Sequence, residues 1–277
     1  FSEKVLDATQ AWTKHVAGAQ ELGGLPESTL AMLRNKARKK GFEQGYMLDL
    51  ELPTYLPVMQ LCDNRSLRRE LYEAYITRAS DQGPDAGKWD NSEVIRTILQ
   101  QRKRVSHLLG FDNYADLSLE TKMAESPRHV LDFLQELVGR CRPLAEKELA
   151  HARAYAAESL GIGDLATWDM PYVSEHMRRK LFNVDQEALR PYFPLPKVMA
   201  GLFEVVSSLF GVSVDLVPDV ACMHEDMKCD VIRQDGRDLA FLFMDLYARE
   251  GKRGGAWLAS CKKRARSLAG DLTLPVG

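Results

Sequence analysis

The chain has 277 residues, 45% of them hydrophobic and 27% charged, a balance that excludes the disordered and fibrous classes. Its formal net charge of −2 provides no overall field to draw it to nucleic acid or to an acidic membrane surface. A folded chain of this length hides roughly 70–75% of the surface its unfolded form exposes, enough for one large domain or two smaller ones.

Five cysteines, Cys62, Cys141, Cys222, Cys229 and Cys261, are odd in number and scattered. They read as reduced thiols of a cytoplasmic protein rather than a disulfide framework. No run approaches the roughly 18 apolar residues of a membrane span, and the N-terminus has no basic-then-apolar signal pattern. The first residue is Phe1 rather than methionine, so the expectation is a chain that begins inside a longer parent.

Helical spacing dominates the first three quarters of the chain. Val5, Leu6, Ala8 and Trp12 predict a helix from Phe1 to Val16. Pro26 opens the next helix and Gly41 stops it. Leu67, Leu71 and Tyr75 place a helix over Arg65 to Arg78. A loop follows at 80–87. Asp90 and Glu93 have the spacing of a capping box for a helix reaching about Leu109, with Ile95, Ile98, Leu99, Val105 and Leu108 on one side. Ser126-Pro127 starts another, with Val130, Leu131, Leu134 and Val138 expected inward and Pro143 expected to break or kink it. Lys147 to Leu160, Glu175 to Leu181 and Pro196 to Phe210 read as further helices, ended where glycine follows at Gly161 and Gly211.

After Gly211 the pattern changes. Residues 228–233 alternate, Asp235-Gly236 is a two-residue hairpin signal, and Leu239 to Met244 is apolar on both faces, as a strand buried on both sides is. This is the one β signal in the sequence, and a helix is expected again from about Ala256. The expected organisation is a helical region over 1–211, then a β-hairpin plus helix over 212–277.

Candidate chemistry is sparse. His224-Glu225-Asp226-Met227-Lys228 begins like a zinc-binding helix, but the motif needs histidine at both i and i+4, and position 228 is lysine. Cys222, His224 and Cys229 lack the spacing of a structural zinc site and read as thiols beside a surface histidine. The glycine-rich stretch Gly251-Lys252-Arg253-Gly254-Gly255 follows a strand, yet its order is not that of a phosphate-binding loop. It reads as a movable loop beside a cleft or a plain turn, with nucleotide binding the weaker alternative. The basic runs Arg34 to Lys40 and Lys262 to Arg266 lack interleaved aromatics and read as solvated surface. There is no Gly-x-Ser-x-Gly elbow.

Several strings carry a more specific signal. They include Ser80-Asp81-Gln82-Gly83-Pro84, Gly87-Lys88-Trp89-Asp90-Asn91, Thr121-Lys122-Met123-Ala124, Leu189-Arg190-Pro191-Tyr192-Phe193-Pro194 and Asp245-Leu246-Tyr247-Ala248-Arg249-Glu250-Gly251-Lys252-Arg253-Gly254-Gly255-Ala256-Trp257. In this order the chain resembles the thimet-oligopeptidase family of zinc metallopeptidases from Phe1 to Val276.

The resemblance implies a mainly α fold: a multi-helix segment of a channel-enclosing metallopeptidase, with a small β-hairpin near residues 227–246. It implies a cytoplasmic enzyme that degrades short peptides, cleaved signal peptides included. One Zn²⁺ in the parent enzyme would be held by a His-Glu-x-x-His helix and a later Glu. No residue of this sequence matches those ligands, so no catalytic or metal residue carries over, and none of the zinc is expected here. The chain alone is expected to be inactive.

Substrate-cleft candidates that do carry over are Asp245, Tyr247, Arg249, Gly251, Gly254, Gly255, Pro275 and Val276. Asp245 and Arg249 read equally well as a structural ion pair. Pro275-Val276 matches the opening of a strand that can pair with a peptide. Expected partners are short peptides and the remainder of the parent polypeptide, with self-association through an exposed apolar face. A non-catalytic helical module that binds a peptide or a partner is the alternative.

Overall fold

The computed structural model describes residues 1–183, 186–249, 251–266 and 272–277. The chain divides into two compact units, Phe1–Val184 and Asp185–Gly277.

The first unit begins with α1 (Ser2–Ala11), which stops earlier than its periodicity predicts. Trp12 turns extended, and Thr13–Val16 forms β1, antiparallel to β2 (Tyr46–Asp49) with Val16 opposite Tyr46. Twenty-nine residues separate the two strands, so no local pattern announces the pair, and the expectation of a single β region is corrected. Val16 and Leu48 are buried in it.

Around this ribbon pack α2 (Glu27–Lys39), α3 (Leu52–Leu61) and α4 (Arg65–Ile76). Their core holds Leu22, Leu33, Leu50, Val58, Met59 and Leu71. On α2, Lys36 Nζ reaches Glu51 Oε2 at 3.1 Å and Thr54 Oγ1 at 3.0 Å, and it also pairs with Asp49.

α5 (Ser92–Leu108), α6 (Tyr114–Leu119) and α7 (Pro127–Leu160) follow. The expected capping box does not form. Asp90 Oδ1 accepts from the Ser92 amide and hydroxyl at 2.9 and 2.7 Å, while Glu93 turns to Arg96. At α7 the Ser126 side chain does cap the His129 amide, at 3.1 Å. α7 runs through Pro143 without a break. Pro143 removes one amide bond to the Gly139 carbonyl, and residues 131–148 are all exposed, so water can satisfy that carbonyl. The helix ends on Gly161, at φ +67°, a left-handed stop that glycine adopts without penalty.

Leu131, Leu134 and Val138 of α7 are exposed rather than inward, as are Ile95, Leu99, Val105 and Leu108 of α5. The apolar stripes exist as read, but no described residue covers them.

The last helix of this unit, α8 (Met170–Phe182), packs on α3 and α7. Its small core joins Ala152, Ala156, Ile162, Tyr172 and Val173. A buried ion network locks it to α4. Asp169 lies just ahead of α8 and is fully buried. It accepts from Arg65 Nη2 at 2.7 Å, Arg68 Nη2 at 2.9 Å and the Ala166 amide at 3.1 Å. Burial opposes its charge, but the hydrogen bonds from Arg65 and Arg68 outweigh that, and its carboxyl titrates below the usual range. The Arg68 guanidinium also sits 4.0 Å over the Tyr172 ring, whose hydroxyl donates to Asp63 Oδ1 at 2.8 Å.

The second unit opens with α9 (Gln186–Leu189) and α10 (Leu195–Phe210), the latter stopping at left-handed Gly211. β3 (Ser213–Leu216), β4 (Lys228–Gln234) and β5 (Arg237–Met244) form an antiparallel sheet in that order. Asp235 and Gly236, both at positive φ, make the turn that the sequence signals between β4 and β5. The chain is mainly α with small antiparallel sheets, as the sequence predicts.

Candidate functional site

The candidate residues lie at and beyond the end of β5. Asp245, the first residue past the strand, sits among cations. Arg249 Nη1 donates to its Oδ1 at 2.5 Å, and Lys252 Nζ stands 3.1 Å from the same oxygen. Lys252 Nζ also donates to the Asp245 carbonyl at 2.5 Å and to the Tyr247 carbonyl at 2.8 Å. The knot therefore ties the chain after β5 back on itself. The Arg249 hydrogen bond, with Lys252 behind it, overcomes burial and draws the Asp245 carboxyl down to about 2. The spacing of four pairs Asp245 with Arg249 in the sequence but gives Lys252 no role. Nothing in the spacing of Lys252 marks a cation that folds back on two carbonyls.

Tyr247 is exposed, as are the apolar Leu246, Trp257 and Leu258. Gly251 and Gly255 stand at φ +78° and +110°, where a side chain would strain the backbone. Gly254 faces open space. Glu250, part of the quoted string, lies outside the described residues.

The helix expected from Ala256 is absent: residues 256–264 are not helical, and Ala265–Arg266 is β6, antiparallel to β7 (Leu272–Thr273). The reason lies in Pro275–Gly277. The Phe241 amide donates to the Pro275 carbonyl at 3.0 Å, and the Gly277 amide donates to the Phe241 carbonyl at 3.0 Å, a parallel pairing with β5. On the other side, Val276 exchanges hydrogen bonds with Lys262 at 2.9 and 3.1 Å. Extended backbone at 261–262 completes this pairing, and a helix there would forfeit it. Pro275 and Val276 are thus strand-like, with β5 on one side and Lys262 on the other.

His224 to Lys228 is a bend and turn leading into β4, not a zinc helix. His224 Nδ1 accepts from the Asp226 amide at 3.2 Å. Cys222 and Cys229 are free thiols, and burial pushes the Cys229 thiol up. Among the described residues no group of three or more His, Cys, Asp or Glu could hold a metal ion. The described side chains therefore offer zinc no ligand set. Among the same residues, no helix is long and apolar enough to cross a membrane.

Comparison with known proteins places this geometry in context. Residues 58–276 match the sequence profile of peptidase family M3. The chain belongs to peptidase family M3. It is 50% identical over all 277 residues to oligopeptidase A of Escherichia coli (strain K12), covering 41% of that protein. It is 48% identical to oligopeptidase A of Salmonella typhimurium (strain LT2), again over its full length and 41% of the relative. The organellar oligopeptidase A of Arabidopsis thaliana is 35% identical, with 36% of its length covered. The chain thus spans about 40% of the length of these M3 relatives, and its whole length finds a counterpart in them.

Proposed function

We propose that this chain is part of a zinc-dependent oligopeptidase of the cytoplasm that hydrolyses short peptides, cleaved signal peptides among them. The observation that carries the reading is the 50% identity to the Escherichia coli oligopeptidase A across every residue of the chain. The role assigned to these residues is channel wall and cleft edge rather than chemistry. In this reading the domain boundary falls at residues 211–212: a helical region over 1–211, and over 212–277 the opening of the catalytic region.

Zinc-bound water supplies the nucleophile in metallopeptidase chemistry. The ligands for it are assigned to further polypeptide, because no residue of this sequence matches the His-Glu-x-x-His helix that the resemblance implies. What these residues do is hold the cleft edge. Asp245, Arg249 and Lys252 fix the backbone after β5, so Tyr247 and the glycines at 251, 254 and 255 present open surface to an extended peptide. Pro275 and Val276 extend the sheet beside β5, but both edges of their backbone are taken, by β5 and by Lys262, so pairing with a peptide strand is not assigned to them.

The test is hydrolysis of a short fluorogenic peptide by the 277-residue chain, with zinc content measured on the same sample. The expected outcome is no turnover and no stoichiometric zinc. Chelator-sensitive cleavage by this chain alone sinks the reading of it as a non-catalytic part. The exposed apolar faces of α5 and α7 favour a second reading, a helical module that binds a peptide or partner without chemistry. Saturable binding of short peptides without turnover supports that one.

A further inference from the structure

Asp230 on β4 is 4% exposed, and its Oδ2 is sealed without a hydrogen-bond partner. Strand register sets it directly between Leu216 of β3 and Leu242 of β5. Strand alternation puts Lys228 and Ile232 on its face and Cys229 and Val231 on the other. The charge that acts on it is Lys228, at the exposed start of the same strand, and burial outweighs that charge to hold the carboxyl above its usual range. On the neighbouring strands, Asp215 of β3 and Asp238 of β5 are both engaged by Arg233, and Arg237 stands at the far end of β5, opposite Gln234.

A carboxylate oxygen sealed without a donor is costly, and proteins that keep such groups supply one. The contrast with Asp169 is direct. Equally buried, that carboxyl receives two guanidinium groups and an amide. Asp230 has the burial without the partners.

We propose that Asp230 is the anchor for a cationic side chain, a lysine or arginine, on further polypeptide that packs against the β3–β4–β5 face. This rests on the reading of the chain as part of a longer peptidase. The M3 relative to which it is 50% identical has more than twice its length, since the chain covers 41% of it. A cation both neutralises the carboxylate and donates to it, which a neutral donor does only in part. Leu216 is 59% exposed beside it and offers apolar surface to the stem of such a side chain.

The test compares the 277-residue chain with the product of the whole reading frame that contains it. The Asp230 carboxyl is titrated by ¹³C NMR in both, and the Tm of Asp230→Asn is measured in both. In the 277-residue chain the carboxyl is expected to titrate above the ordinary aspartate range, and Asp230→Asn to raise Tm by about 2–4 °C. In the longer product the carboxyl titrates below that range, and the same substitution lowers Tm. A high titration in both forms, a raised Tm in both, or a reading frame that adds no residues overturns the proposal. The titration uses the unsubstituted protein, so it stands even where the variant misfolds. Peptide hydrolysis by the longer product is read separately. Its absence with a low-titrating Asp230 overturns the peptidase reading and leaves the anchor in place.

Discussion

Asp169 shows how a single side chain decides whether two helices stay together. It is fully buried, and Arg65 and Arg68 of α4 close on it from one side while the Ala166 amide closes from the other. Truncating it leaves Arg68, only 1% exposed, as a buried cation without its carboxylate. Breaking a buried pair in this way costs about 3–5 kcal/mol. Asp169→Ala is therefore expected to lower the urea midpoint by that free energy with little change in slope. The pH dependence has a definite sign. The folded carboxyl titrates below the unfolded one, so its stabilisation is complete above the unfolded value near 3.9 and fades as pH falls toward the lower folded value. Wild type and Asp169→Asn should differ most in stability near neutral pH and converge in acid. A constant difference across that window rules out the assigned pair. Asp245 is a different case. Its partners lie on one exposed loop, so its low titration reports local geometry more than global stability.

At the scale of elements, Pro143 provides a clean test of what holds α7 together. The helix continues past it at the loss of one amide bond, and proline inside a helix costs about 3 kcal/mol relative to alanine. Pro143→Ala is expected to slow amide exchange across residues 140–147 and to raise the helical signal. Unchanged exchange there means that the turn is not helical in solution. Of the break or kink expected at this proline, the break does not form: the exposed helix lets water satisfy the freed carbonyl. The β4–β5 hairpin was legible because its turn residues, Asp235 and Gly236, sit between the strands they join. The β1–β2 ribbon was not legible, since Thr13–Val16 becomes a strand only when Tyr46–Asp49 arrives beside it. Residues 256–264 failed for the same reason: Pro275–Gly277 draws the segment around 261–262 into backbone pairing that helical spacing cannot foresee. At the candidate site, the Asp245–Arg249 pair could be read from a spacing of four, but the double contact of Lys252 with backbone carbonyls could not.

For the molecule as a whole, the uneven distribution of core is the governing fact. From Ser92 to His151, the only buried side chain among the described residues is Ser106. That stretch nonetheless carries Leu131, Leu134, Leu137, Val138 and Leu144 on α7, all exposed. Amphipathic helices owe most of their stability to the face they bury, so α5 and α7 are built to be covered. Contiguous apolar surface of this extent drives association when its cover is missing. The 277-residue chain is therefore expected to self-associate in a concentration-dependent way, measured by sedimentation velocity across a hundredfold dilution. Leu134→Lys with Val138→Glu places charge in the middle of the α7 stripe and should shift the population toward monomer. The core around Leu33, Leu48, Val58 and Leu71 is untouched by these changes, so the thermal transition of that region should stay where it was. A wild-type chain that remains monomeric at every concentration, with α7 fully protected from exchange, shows that the helix needs no cover and removes the premise.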